Sequence, residues 1–385
     1  MRTVRGVTRA AALTLAAGAV ALPVTSAQAT TVTCGQVVTA DLRLTADLTC
    51  SGTALSIGAS GVTVDLNGHT ITGDGSGRGI AIEGVRPNPS LSNTTVRNGT
   101  ISDFESAIGM VDTQDVRLSR LNLKATGSNT ALRVDIGTKG ARVDHSVLRA
   151  STGGYAVRGL GGTDLTITGS RVLGGWINLV NSLSSSTISH TDLDRAAIVA
   201  QQSNNVLLDH DTLVRTPVTA FFSFGVTIRN SKISGAERAV DFGTDRDVLI
   251  TGNVFAHNLV GVHSGPPGLD TERATISKNL FVGNGAAGVW LESLYSGGPA
   301  GNFAVVGNRF QGNGHRANGL TDAYGNTVND GLHIDTKDPS GVEVTRNRTD
   351  HNADFGIEIR PGSAIDGGGN TSAHDPNGCL GVVCS

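Results

Sequence analysis

Apolar residues recur along this chain in short alternating runs, not at helical spacing. One apolar position, followed two to five residues later by a polar turn and another apolar residue, aligns segments such as TVDLNGHTI, TVRNGTI, LTITGSRV, STISHTDL, VLLDHDTL, VTIRNSKI, VLITGNVF and ATISKNLF. The anchors are Leu66, Val96, Leu118, Val143, Ile167, Ile188, Leu208, Ile228, Ile250, Ile276, Val305 and Val344, spaced 20 to 39 residues apart with a mean near 25. Self-similarity of that period marks a solenoid. A second strand follows roughly twelve residues after each anchor, in GIAIE, AIGMV, ALRVD, AIVAQ, GVWLE and GIEIR, with inward apolar residues alternating with variable outward ones. No apolar 3.6-residue pattern persists for the length of a helix, so the repeat is built from strands and tight turns. The L-x-x-L-x-L frame of a leucine-rich horseshoe is missing, and a propeller needs about 40 residues per blade.

A single repeat cannot bury its apolar positions; stacked coil on coil, each inward Val, Ile or Leu packs on its counterparts above and below. Polar positions stack as well. Asn253, Asn279, Asn308 and Asn347 stand three residues after their anchors, and Asn258, Asn284, Asn313 and Asn352 five later. Amides repeated in that way bond to one another and to turn backbone, a structural role. Four cysteines allow three pairings. If the chain is a long stack its ends lie far apart, so only Cys34 with Cys50 and Cys379 with Cys384 can meet disulfide geometry.

Composition narrows the picture further. With 52 Gly, 10 Phe, 3 Tyr and 2 Trp in 385 residues, the core is filled mainly by aliphatic side chains, which favours an elongated stack. A net charge of -3 offers no broad basic face, and nucleic acid is set aside as a partner. Residues 1–29 read as a secretory signal: Arg2, Arg5 and Arg9 precede an apolar stretch from Ala10 to Leu22, and Ala27-Gln28-Ala29 offers a cleavage site. That stretch is too short to span a bilayer comfortably, and no later segment does better. The expectation is a soluble, secreted, monomeric protein with a signal peptide (1–29), an N-terminal cap (30–61), a coil region (62–361) and a C-terminal cap (362–385).

These repeats resemble those of secreted right-handed parallel β-helix proteins of the pectate lyase, polygalacturonase and carbohydrate-binding and sugar-hydrolase type, with end caps like those of exported actinobacterial members. The resemblance implies an all-β, single-stranded right-handed parallel β-helix of about twelve coils. It also implies that the outward face of the second strand lines a groove for an extracellular polysaccharide. One outward column then ends Ala220, Asp241, His263, Trp290, His333 and Glu358, and the next ends Phe222, Gly243, Gly265, Glu292, Asp335 and Arg360. Adjacent coils stand ~4.8 Å apart, which makes Glu292 and Asp335, or His333 and Glu358, neighbours. Long connections occur at the same coils: Gly265 to Arg273, Ser293 to Asn302, and Gly312 to Asp330, the last carrying His315, Arg316, Asp322 and Tyr324.

Two chemistries suit this set. Glycoside hydrolysis needs one carboxyl to protonate the leaving oxygen and another to activate water or attack, and Asp241, Glu292, Asp335 and Glu358 supply candidates. β-Elimination on a uronic acid needs a base, His333 or His263, and a group to spread the developing charge, either Arg360 or a Ca²⁺ held by Glu292 and Asp335. Trp290 is a candidate for stacking on a sugar face, with Arg316, Tyr324 and Arg360 as further substrate contacts. The alternative is a non-catalytic surface or matrix-binding scaffold whose charges are simply the solvated side of the solenoid. The chain departs from the resembled families: Asn329-Asp330-Gly331 lacks the Thr of the polygalacturonase N-T-D segment, and the Asp-Pro-His-Asp motif of mannuronan epimerases is missing from GLHIDTKDPSG. His69, His145, His190, His210, His257 and His351 fall at corners and read as turn residues, without the spacing of a zinc site.

Overall fold

The computed structural model describes residues 32–84, 91–180, 185–265, 271, 273–292, 303–335 and 342–385. The signal-peptide reading and the Ser293 to Asn302 connection lie outside them, as does most of Gly265 to Arg273. Among the described residues there is no helix, and so none long and apolar enough to cross a membrane.

Each full turn of chain lays down up to three short parallel strands, as in Val248–Thr251, Val254–Ala256 and Val260–Ser264. Among the described residues the third strand of each turn joins one 15-stranded parallel sheet, called here the long sheet; the first two form side-by-side ladders that merge where Thr95–Ser102 and Arg117–Ala125 run through both. The solenoid has about 14 turns rather than about twelve. Gln36–Val38, Leu55–Ile57 and Gly378–Leu380 also belong to the long sheet, so the winding continues into both end segments. The middle strand of each turn is the apolar residue that follows the anchor's polar turn. With one inward side chain in three, it is too short to show alternation.

Register runs through the stack with few slips. Val143, Ile167, Ile188, Leu208, Ile228, Ile250 and Ile276 pair in succession, which confirms the anchor column. The residue opposite Val96 is Val64 and not Leu66, and Leu42 precedes it in the column. Val64 and Leu66 are both fully buried two residues apart, so either satisfies the apolar pattern. In the long sheet Thr219 pairs with Val199 and Asp241, and Phe221 with Gln201 and Gly243; Ala220 faces inward, and Phe222 lies past the strand with positive φ. A one-residue slip exchanges the two faces of a strand.

Inward packing supplies most of the stability, at about 1.5–3 kcal/mol for each fully buried aliphatic side chain. Phe255, Phe281 and Phe310 stack with centroids 4.9 and 5.0 Å apart. Beside them Gly261, Gly288 and Gly331 repeat on successive turns, and an added Cβ at Gly288 would come within 2.7 Å of both the Gly331 carbonyl and the Phe310 ring. The asparagines bridge turns as anticipated. Asn253 Nδ2 donates to Asn279 Oδ1 at 3.1 Å and to the Ile228 carbonyl at 2.8 Å, and the pattern continues through Asn308 and Asn347 to Asn370. A parallel row joins Asn258, Asn284, Asn313 and Asn352, ending on Asp375. Toward the N-terminus the first row's slot holds Ser170, Thr191, Asp211 and Ser231, each accepting from a backbone amide of the preceding turn. His145, His190, His210, His257 and His351 all occupy positive-φ turns, as their corner positions implied. Disulfides join Cys34 to Cys50 and Cys379 to Cys384, with Cα atoms 5.5 and 6.1 Å apart.

Candidate functional site

On the outward side of the long sheet the column reads Thr219, Asp241, His263, Trp290, His333 and Glu358 on consecutive strands. Outward placement would leave these groups in water, yet His263 and His333 are 0% and 1% exposed and Asp335 is 2% exposed. The connection from Gly312 to Asp330 accounts for part of this cover. It is pinned at Gly314, whose φ is +86° and where a Cβ would collide with the Asn329 backbone. Leu320 and Val328 then pack with Val260, Ala286, Ala287 and Trp290 in a small apolar cluster separate from the main core.

Two imidazoles, each bound by carboxylates, result. His263 Nδ1 lies 2.8 Å from Asp241 Oδ1, and Nε2 lies 3.0 Å from Glu292 Oε1. Burial alone would lower the His263 pKa, but the bonds to Asp241 and Glu292 outweigh it and the net direction is upward. His333 Nδ1 lies 2.8 Å from Asp330 Oδ2 and 3.2 Å from Glu358 Oε2, and its Nε2 faces Asp322 Oδ2 at 3.5 Å. Burial opposes charge on this ring too, and is again outweighed by Asp330 and Glu358, so its pKa rises. The Asp330 carboxyl is pushed up by burial, while that of Glu358 is held low by His333 despite partial burial. Burial also raises Asp335, to about 6, against the favourable charge of His333 and a bond from the Ala323 amide.

The other candidates divide. Glu292 and Asp335 lie on adjacent strands, one residue past the paired Leu291 and Ile334. Glu292 is engaged by His263 through Oε1, and Asp335 gathers with Asp322 and His333. Trp290 is 4% exposed, edge-on to His263 at 4.9 Å, and offers no open face for a sugar. Arg360 lies 3.6 Å over the ring of Tyr324, so these two meet at the solvent edge. Arg316 instead lines a surface cavity of about 420 Å³ with His257 and His315. Sequence reasoning passed over Asp330, although it stands three residues before His333, and left Asp322 unassigned within its loop. It also missed Arg238, which reaches Asp241 at 3.4 Å and lies 5.9 Å from the Trp290 ring.

A family model described as "Right handed beta helix region" matches residues 137–310 and 177–380, together more than half of the chain. The chain belongs to this right-handed β-helix family. Comparison with curated proteins finds no match to this β-helix chain. Among solved structures it is similar to a tailspike protein of E. coli bacteriophage HK620 (12% identity, 90% of this chain and 73% of that one, TM-score 0.44). It is similar also to a family 28 exopolygalacturonase of Yersinia enterocolitica (11%, 88% and 72%, TM-score 0.40). A third is the AlgE4 A-module of Azotobacter vinelandii mannuronan C-5 epimerase (14%, 90% and 91%, TM-score 0.36).

Proposed function

We propose that this β-helix is an exported, monomeric protein that binds an extracellular polysaccharide across the outward face of the long sheet, between Asp241 and Arg360, and hydrolyses it there. The observation that carries this reading is a series of carboxylates on every second turn along the long sheet: the side chains of Asp241, Glu292 and Glu358 are 19%, 16% and 14% exposed, while the imidazoles on the turns between them are sealed off. A groove substrate therefore meets carboxylates first. That favours acid–base hydrolysis over β-elimination, for which His263 or His333 would have to reach the sugar. The Arg360–Tyr324 pair supplies a cationic, aromatic edge suited to an acidic sugar. Export is supported by the N-terminal signal pattern and by two disulfides, which persist in oxidising compartments.

A specific observation favours the second reading, a binding scaffold without turnover. Both nitrogens of His263 are occupied and Trp290 is buried, as in a network built for rigidity. Incubation of the folded protein with a panel of acidic and neutral polysaccharides separates these cases. New reducing ends without the ultraviolet absorbance of unsaturated uronates are the expected result. Absorbance with reducing ends would replace hydrolysis by elimination; binding without either product would leave the scaffold.

A further inference from the structure

The His333 cluster contains polar atoms that protein groups alone do not satisfy. His333 Nε2 and Asp335 Oδ1 are buried and have no hydrogen-bond partner, on side chains that are 1% and 2% exposed. Both side chains belong to a group in which Asp322, His333 and Asp335 each bring one donor atom within 4.8 Å of the others. We propose that Asp322, His333 and Asp335 form a binding site for a first-row divalent metal ion of the zinc class, independent of the polysaccharide reading.

Each donor is already aimed by a further contact. His333 Nδ1 is held at 2.8 Å by Asp330, which leaves Nε2 as the free ring nitrogen, the carboxylate–histidine arrangement that fixes a metal-binding imidazole. Asp322 is oriented through Oδ1 by the Tyr324 and Asn326 amides at 2.9 and 2.8 Å and through Oδ2 by Asn326 Nδ2 at 2.8 Å. Asp335 Oδ2 accepts from the Ala323 amide at 3.3 Å, which leaves Oδ1 for the cluster. The 3.5 Å between His333 Nε2 and Asp322 Oδ2 is long for a hydrogen bond. It is close to the edge of a tetrahedron with bonds of about 2.0–2.1 Å.

Charge points the same way. Asp322, Asp330, Asp335 and Glu358 surround one imidazole; among the described residues His333 pairs with Asp322, Asp330 and Glu358, and Asp335 has no ion pair. A buried excess of carboxylate is costly without a cation. One imidazole nitrogen among two carboxylate oxygens selects zinc-like ions over calcium or magnesium, which take all-oxygen sets. The exposed group Asp350, His351 and His374 is the natural competitor.

The test is calorimetric titration of the chelator-treated, folded chain with ZnCl₂ and, separately, CaCl₂, with visible absorption of a Co²⁺-loaded sample as a second readout. One Zn²⁺ per chain is expected, with Ca²⁺ roughly 100-fold weaker or more. Asp322→Asn and Asp335→Asn, which preserve side-chain size, should each abolish stoichiometric binding and change the Co²⁺ spectrum. Asp330→Asn should weaken zinc about 10–100-fold, and His374→Ala should leave it unchanged. Thermal unfolding of each variant establishes that it is folded. The proposal is overturned by no zinc binding, by unchanged binding in both Asn variants, by tighter binding of calcium than of zinc, or by loss on His374→Ala.

Discussion

Asp211 is the one carboxylate in a row of stacked Ser, Thr and Asn side chains, and replacing it by Asn should reverse the sign of its effect with pH. The side chain is 2% exposed, and burial pushes its pKa up to about 8, against hydrogen bonds from the Thr191 and Asp209 amides at 2.9 and 3.0 Å. The unfolded chain ionises this group near its ordinary value of 3.8, so between roughly pH 4 and 8 unfolding releases a proton that the folded state retains. Stability therefore falls as pH rises through that window. At ~1.4 kcal/mol per pKa unit, the cost at pH 7 is about 4 kcal/mol. Asn fits the slot, because Asn253 and Asn279 occupy the same position in later turns with Oδ1 accepting an amide and Nδ2 donating to a carbonyl. The change gives up the bond from the Asp209 amide, worth about 1 kcal/mol. Asp211→Asn should thus be about 1 kcal/mol less stable than the parent at pH 4 and about 3 kcal/mol more stable at pH 7. Paired urea titrations at the two pH values read this directly. A difference that does not change with pH would refute the assignment of a buried, protonated carboxyl.

Other perturbations probe other parts of the stack. Asn279→Ala removes donors to the Ile250 and Asn308 oxygens and the acceptor used by Asn253, so thermal unfolding should show a loss of about 3 kcal/mol. Phe281→Ala, between Phe255 and Phe310, should cost about 3–5 kcal/mol by denaturant titration, and a second truncation at Phe310 should add less than its own single effect because the two share a contact. Reduction of Cys34–Cys50, whose partners are 16 residues apart, should cost about 3 kcal/mol, measurable as a lower unfolding midpoint in Cys34→Ala/Cys50→Ala.

The coil was legible because its signal is repeated: each inward residue has equivalents in neighbouring turns, and an error in one, as with Leu66 for Val64, does not disturb the rest. Local register was less secure where strands are short. In VTAFFSFG apolar residues fill both faces, so nothing in the pattern separates Thr219 from Ala220 as the outward member. The outward column from Asp241 to Glu358 was legible for the same reason as the core, since residues two dozen or more positions apart align once the coil is known. Its burial was not. Whether Trp290 faces a sugar or a loop depends on where Leu320 and Val328 fold back, a packing choice that no periodicity encodes. Asp322 and Asp330 were passed over because they lie in a non-repeating connection and acquire meaning only from their distance to His333.

The most direct test compares carboxylates on the proposed groove with carboxylates elsewhere on the same coil. Glu292→Gln/Glu358→Gln neutralises two groups facing the groove; Asp192→Asn/Glu343→Gln neutralises two exposed groups on the other two ladders. On whichever polysaccharide the parent cleaves, release of reducing ends should fall at least ~100-fold in the groove variant and stay within about twofold of the parent in the control. Equal activity in the two variants would contradict a site on the outward face of the long sheet.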